Sequence, residues 1–179
     1  MGDLFARRTP LAQRQSGRAL GCIAKCMKPC QAITLEQIEQ ARVLFEDYAG
    51  WLGIDLSFQG FAAELAGLPG DYAPPRGRLL LALRGGEAAG CVALRPLGDG
   101  VCEMKRLFVR PGFRGQGIGK LLAEGIVEEA RTIGYRTMRL DTLPSMQAAI
   151  RLYDALGFVR CAAYYETPVP DTVFMELQL

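Results

Sequence analysis

The stretch Val109-Arg110-Pro111-Gly112-Phe113-Arg114-Gly115-Gln116-Gly117-Ile118-Gly119-Lys120 narrows most sharply what this chain can fold into. Residues 101–109 before it read as a strand, and residues 117–133 as an amphipathic helix closed by Gly134. A strand must therefore end, a short arm cross, and a helix begin among alternate glycines. Without Cβ atoms the backbone N–H groups can close on an anion, and the helix N-terminus adds roughly half a positive charge. Arg114 and Lys120 place full charges beside that cradle. The chemistry this suggests is pyrophosphate binding.

Two common phosphate motifs fit poorly. In a Walker loop the lysine is followed by Ser or Thr, whereas Lys120 precedes Leu121, and the upstream glycine spacing is wrong. A dinucleotide fold is the better decoy, because the next strand ends in Asp141, 22 residues past Gly119, where a ribose ligand would stand. Its glycines would run G-x-G-x-x-G directly after a strand. Here they run G-x-G-x-G after a five-residue arm, and only 38 residues follow Asp141. On the turn alone, a glycine-rich surface loop with arginines remains open.

The rest of the chain predicts one mixed α/β layer with helices packed on it. Thr34-Leu35-Glu36-Gln37 has the capping-box pattern, and Ile38, Ala41, Phe45, Tyr48 and Leu52 recur at helical spacing, so 35–52 is a helix. A short helix is expected over 58–66. Strands are expected over 79–83 and 89–94 around a Gly85-Gly86 turn, with a second turn over 96–100. After the helix at 117–133 come a strand at 137–141, a helix at 145–156, and strands at 158–164 and 173–177.

Composition limits the chemistry. The 179 residues give room for one domain, and there is no histidine, which removes the commonest general base, the histidine dyads and imidazole metal sites. Cys91, Cys102 and Cys161 sit in apolar stretches and read as small buried hydrophobes, while Cys22, Cys26 and Cys30 lack the paired spacing of a zinc module. No metal is expected. Residues 1–30 hold Arg7, Arg8, Arg14, Arg18, Lys25 and Lys28 against Asp3, so the total charge of +2 divides into +5 there and −3 over the remainder. The reading is a weakly ordered basic extension over 1–30 and one domain over 31–179. Its first strand is sought in 28–33, and Met27 directly before them would serve as an initiator. No apolar run spans a bilayer and charges interrupt any signal-peptide core, so a cytoplasmic protein with no membrane or nucleic-acid partner is expected.

Cys102-Glu103-Met104-Lys105-Arg106-Leu107-Phe108-Val109 leads into the glycine turn, and Leu152-Tyr153-Asp154-Ala155-Leu156-Gly157-Phe158 follows downstream. With these flanks the chain resembles the GNAT superfamily of N-acetyltransferases over about residues 33–179. Arg114-Gly115-Gln116-Gly117-Ile118-Gly119 matches its pyrophosphate motif, Arg/Gln-x-x-Gly-x-Gly/Ala, and 152–158 matches its Leu-Tyr-x-x-x-Gly-Phe helix. The resemblance implies a single mixed, mostly antiparallel sheet of six to seven strands flanked by about four helices. It implies acetyl-CoA as co-substrate and transfer of its acetyl group, by direct attack in a ternary complex, to a primary amine of a small molecule or peptide. A homodimer is left open. One position departs from the pattern: family members often carry an asparagine seven residues before the tyrosine, and here Met146 stands there.

The family's roles map onto this sequence residue by residue. The backbone of Leu107, Phe108 and Val109 would pair with the pantetheine arm, with the Leu107 N–H polarising the thioester carbonyl. Arg114, Gly115, Gln116, Gly117, Ile118, Gly119 and Lys120 would hold the pyrophosphate. Tyr153 would be the general acid toward the departing thiolate, though a core aromatic would look the same. Glu103 stands where the histone-acetylating branch carries its catalytic glutamate. Alternation would put Glu103, Lys105, Leu107 and Val109 on one face, and a Glu103–Lys105 surface pair would explain both charges without catalysis. Trp51, Phe58 and Tyr164 or Tyr165 are expected around the acceptor, or equally in the core. A catalytically silent acyl-CoA sensor is the alternative, and it could have lost both Tyr153 and Glu103.

Overall fold

The computed structural model describes residues 28–179. The expected extension therefore lies outside the described residues up to Met27, as do Cys22 and Cys26. A short edge strand, β1 (Cys30–Gln31), enters helix α1 (Leu35–Leu52). The Thr34 hydroxyl accepts from the Gln37 N–H and the Gln37 side chain accepts from the Thr34 N–H, each at 3.2 Å, which satisfies the first-turn donors reciprocally. Gly53, at φ 67°, stops the helix in the left-handed conformation. The expected second helix is broken by Gly60, at φ 70°, into a 3-10 turn (Ser57–Gln59) and α2 (Phe61–Ala66).

A meander follows: β2 (Arg78–Arg84), β3 (Glu87–Gly98) and β4 (Val101–Val109). The Gly85-Gly86 pair has positive φ at both positions, as a tight hairpin requires. The second turn is tighter than expected, with β3 running on to Gly98 and reversing at Asp99 and Gly100. Helix α3 (Ile118–Ile133), strand β5 (Thr137–Thr142), helix α4 (Gln147–Ala155), and strands β6 (Val159–Arg160) and β7 (Val173–Gln178) complete the domain. The sheet runs β1-β2-β3-β4-β5-β7-β6, and every neighbouring pair is antiparallel except β4 with β5.

Alternation along the strands builds two cores. Leu79, Leu81, Cys91 and Ala93 meet Ala41, Leu44 and Phe45 of α1 on one face. Leu80, Val92, Leu94 and Met104 meet Leu122, Ile126 and Ala130 of α3 on the other. Cys91 and Cys102 are fully buried as expected, but Cys161 is only half-buried. It lies where the expected strand over 158–164 gives out. β6 keeps two residues, because the chain leaves the ladder to lay Tyr164 and Tyr165 edge-on against Phe174, each ring centroid 5.2 Å away.

Two irregularities shape the centre of the sheet. β4 and β5 pair only from Val101↔Thr137 to Glu103↔Arg139 and then diverge. On its other edge β4 carries a bulge: Lys105 faces Ala93 and Phe108 faces Cys91, so Arg106 and Leu107 together oppose Val92. Arg106 takes φ 57°, a conformation uncommon outside glycine. The extra residue resets the alternation. Glu103 and Lys105 face the α1–α2 side, whereas Leu107 and Val109 pack with the α3 core, so the four do not share a face as the pattern predicted.

Candidate active site

The divergence of β4 from β5 opens a cleft of about 620 Å³ in the middle of the domain. The bulged end of β4 (Leu107, Phe108, Val109) forms one wall. The loop after β5 and the first residues of α4, from Leu143 to Ala149, form the other. Gly115, Gly117, Ile118 and Gly119 close one end, and Arg114 lies there with its guanidinium 4.5 Å above the Trp51 ring. Trp51 thus lines this cleft rather than the acceptor side.

The glycine end has the features an anion requires. Gly115 and Gly117 have φ 75° and 80°, which turn the chain sharply into α3. Gly117 is the N-cap and offers no side chain, no acid stands in the first turn, and the first intrahelical bond runs from the Leu121 N–H to the Gly117 carbonyl. The N–H groups of Ile118, Gly119 and Lys120 thus lack helical acceptors. A Cβ on Gly119 would point into the cleft, meeting only Val109 Cγ2 at 3.8 Å. The remaining residues of this group diverge from expectation in geometry. Gln116 accepts from Arg84 and Lys120 pairs loosely with Glu124 at 3.6 Å, both outside the cleft wall.

At the inner end of the cleft lies a small cavity of about 40 Å³ that shares the Leu107 and Met146 walls. Tyr153 faces it from α4, buried and packed against Phe158 at 5.7 Å. Burial pushes the phenol well above its ordinary pKa, with nearby Tyr48 and Asp141 adding to the effect. Its hydroxyl stays protonated through the whole neutral range.

Glu103 sits deeper than Tyr153 and is fully buried. One carboxylate oxygen accepts from Arg95 Nε at 2.7 Å and the other from the Tyr164 hydroxyl at 2.9 Å, with Lys105 Nζ 3.7 Å away. The pair is a buried network, not the surface pair the pattern allowed. Leu107 lies four residue steps beyond Glu103, on the order of 13 Å of chain without the bulge.

Two other parts are built from residues that the sequence pattern does not assign to the site. Arg106 is buried on the α1–α2 side, where Nε and one terminal nitrogen grip Glu64 of α2 at 3.0 and 2.6 Å. The second terminal nitrogen donates to Gln59 at 3.1 Å, and the Tyr72 hydroxyl donates to Glu64 at 2.7 Å. Burial alone would raise the Glu64 carboxyl, but the Arg106 guanidinium and the tyrosine outweigh it and hold it below its ordinary range. This clamp ties α2 to the bulge, and nothing in a 42-residue separation announces it. Asp141, which the sequence offered only as a ribose decoy, projects on the same side as Glu103 and Lys105, its carboxylate 3.6 Å from Lys105 Nζ. Among the described residues no three His, Cys, Asp or Glu side chains are grouped to hold a metal ion, and no helix is long and apolar enough to cross a membrane.

A split mixed sheet with a glycine cradle on one lip and a buried tyrosine at its root is the geometry of an acyltransferase. The sequence model of the acetyltransferase (GNAT) family matches residues 38–158, and the chain belongs to that family. An uncharacterised N-acetyltransferase of Schizosaccharomyces pombe is 41% identical over 160 residues, covering 86% of this chain and 98% of its own. A solved Klebsiella pneumoniae structure described as an acyl-CoA N-acyltransferase is 30% identical, covers 86% of this chain and 96% of its own, and superposes with a TM-score of 0.64. A GNAT acetyltransferase of Elizabethkingia anophelis, solved with acetyl-CoA bound, is 25% identical over 57% of this chain and 76% of its own, with a TM-score of 0.50.

Proposed function

We propose that this enzyme transfers the acetyl group of acetyl-CoA to a primary amine of a small molecule or peptide, by direct attack in a ternary complex. The observation that carries the reading is the cleft itself, which runs from an uncapped, acid-free helix N-terminus to a buried tyrosine. The acetyl-CoA complex of the Elizabethkingia relative supports the same co-substrate.

In this reading Gly115, Gln116, Gly117, Ile118, Gly119 and Lys120 hold the pyrophosphate, with Arg114 laid over Trp51 beside it. The backbone of Leu107, Phe108 and Val109 takes the pantetheine arm as an added strand, in the gap where β4 has left β5. The Leu107 N–H polarises the thioester carbonyl. Tyr153 protonates the departing sulfur. In water a phenol of pKa about 10 transfers uphill to a thiolate of about 8.5, and burial raises the phenol further. The same burial raises the basicity of the sulfur, so placement carries the step. Glu103 receives the acceptor's proton at second hand: a water in the 40 Å³ cavity, which has the volume and polar walls to hold one, passes it to Lys105, whose ammonium gives up one of its own to Glu103, 3.7 Å away. Residues 31–179 carry the whole activity.

The test is thermal stabilisation together with thiol release. At a hundredfold excess over its dissociation constant, acetyl-CoA should add about 2.7 kcal/mol of stability, and NAD far less. Equal stabilisation by NAD would overturn the assignment.

A further inference from the structure

Behind the cofactor cleft, on the α1–α2 side, a second slot leads inward to the same point. It has a volume of about 30 Å³, and Leu52, Ile54, Leu56, Phe58 and Val169 give it an apolar mouth. Its inner end shares Tyr48, Gln59, Asp141, Thr142 and Met146 with the 40 Å³ cavity that Tyr153 and Leu107 face. The two spaces meet at Asp141.

Asp141 is under-used for a carboxylate in such a place. Its side chain is 20% exposed, its nearest cation, Lys105 Nζ, is 3.6 Å away, and the Tyr165 hydroxyl is the donor that lies beside it. A carboxylate so far withdrawn from water is costly unless a donor meets it. The Tyr165 hydroxyl is buried beside Asp141 and Gln59 and meets neither in good hydrogen-bond geometry. The phenols of Tyr48, Tyr153, Tyr164 and Tyr165 all feel the Asp141 charge, which puts that carboxylate at the centre of a ring of tyrosines. The other acids on this face are committed: Glu103 to Arg95 and Tyr164, Glu64 to Arg106 and Tyr72, Glu176 to Arg139. Asp141 and Tyr165 stand together with hydrogen-bonding capacity to spare, at the inner end of the slot where it joins the cavity that Tyr153 faces.

We propose that Asp141, with the Tyr165 hydroxyl beside it, receives the acceptor nitrogen, and that the slot, which has room for an amino group and little more, selects unbranched primary amines whose apolar stem lies along its mouth. This rests on the acetyltransfer reading and names the acceptor class for that site. Asp141 accepts a hydrogen bond from the amine N–H and turns the lone pair toward the cofactor cleft. Lys105 already balances the Asp141 charge, so the site receives the nitrogen as a neutral amine, the form that attacks. Leu52, Ile54, Leu56 and Phe58 leave no cation or anion in the mouth for a polyamine or an acidic side chain to pair with.

Thiol release from acetyl-CoA is measured on the full chain with n-hexylamine, phenethylamine, spermidine and glutamate. The apolar amines should show kcat/KM at least 10-fold above the other two. Reversed or equal ranking, or no turnover of either apolar amine, overturns the acceptor class. On the better apolar amine, Asp141→Asn should raise the acceptor KM about 10-fold or more, and Tyr165→Phe, which removes only a hydroxyl, about 3- to 10-fold. Both should leave acetyl-CoA affinity by calorimetry unchanged. An unchanged acceptor KM in both variants overturns the role of Asp141. Failure of the wild-type chain to bind acetyl-CoA in the same calorimeter would instead refute the acetyltransfer reading beneath it.

Discussion

Removing Glu64 should be among the most damaging single changes outside the hydrophobic core. In Glu64→Ala the Arg106 side chain, 2% exposed, keeps its charge and loses both bonds to its partner. Truncating one member of a buried ion pair costs about 3–5 kcal/mol, because the charge left behind can be neither solvated nor paired. The Tyr72 hydroxyl loses its acceptor as well, and an orphaned buried donor costs roughly 1–3 kcal/mol. The losses overlap, so a total near 4 kcal/mol is expected, a large part of a typical stability of about 5–15 kcal/mol. Arg106 also holds a left-handed conformation that costs about 1–3 kcal/mol, and its anchor is what keeps the bulge in that state. Urea unfolding of the single and double variants measures all of this. Glu64→Leu with Arg106→Met should recover much of the loss, giving a coupling energy of 2 kcal/mol or more in magnitude. A Glu64→Ala cost below about 1 kcal/mol, or additive single effects, would show that the clamp behaves as a surface pair and does not hold the bulge.

Three further outcomes follow from the same geometry. Gly119→Ala should leave stability equal or slightly higher, since its methyl meets only Val109 Cγ2 at 3.8 Å, while acetyl-CoA affinity by calorimetry falls about 10-fold or more; unchanged affinity would remove Gly119 from the pyrophosphate site. Tyr153→Phe keeps the ring and its contact with Phe158, so kcat should fall by roughly 10²-fold with acetyl-CoA affinity unchanged, and unaltered single-turnover chemistry would refute the general acid. Tyr72 and Tyr153 have folded-state pKa values raised by burial, so the stability they contribute is complete below pH 10 and is lost above it as only the unfolded chain ionises. Each should cost about 1.4 kcal/mol per pH unit beyond 10, and the buried Cys91 and Cys102 thiols, also raised by burial, begin the loss near pH 9, with little change between pH 6 and 8 in a chain without histidine; a stability step near pH 7 in urea titrations would contradict this.

The local parts of this fold were legible because they are written in local chemistry. Thr34 and Gln37 mark the start of α1 with a reciprocal cap, Gly85-Gly86 can only be a tight turn, and the alternate glycines before Ile118 force a strand-to-helix passage. What failed depends on partners distant in sequence. β6 is cut to two residues by three aromatic rings that meet only when β7 is in place. The bulge escaped notice because alternation assumes that every residue advances the pleat, and Arg106 advances it without changing face. Its left-handed φ would be readable in a glycine but is invisible in an arginine that needs Glu64, 42 residues away, to hold it. Asp141 stands out in the sequence for a reason the structure does not bear out. Its spacing from the glycines suggested a ribose ligand, while its actual setting is fixed by the parallel register of β5 on β4.

That register and that bulge together explain how one strand serves two sides of the reaction. Below the bulge, Glu103 and Lys105 point to the α1–α2 side, where Asp141 and the tyrosines lie. Above it, Leu107 and Val109 pack on the α3 side while Phe108 returns to the α1 core, so the strand changes which parity of residue faces which layer within a single step. A regular β4 would carry Leu107 on the Lys105 face and Phe108 on the other. The strand could then not also present its upper backbone to a cleft beside α3 with Phe108 against Tyr48 and Trp51. Deleting Arg106 should leave Leu107, Phe108 and Val109 on their present faces, because the residue removed is the one that adds a step without changing face, and the cost then falls on the Glu64 clamp. Inserting one alanine between Arg106 and Leu107 should be worse than any substitution in β4, because it turns Leu107, Phe108 and Val109 over together and exchanges a buried aromatic for two aliphatics in the α1 core. An insertion variant that stayed folded and still bound acetyl-CoA would show that the cleft does not depend on the change of face.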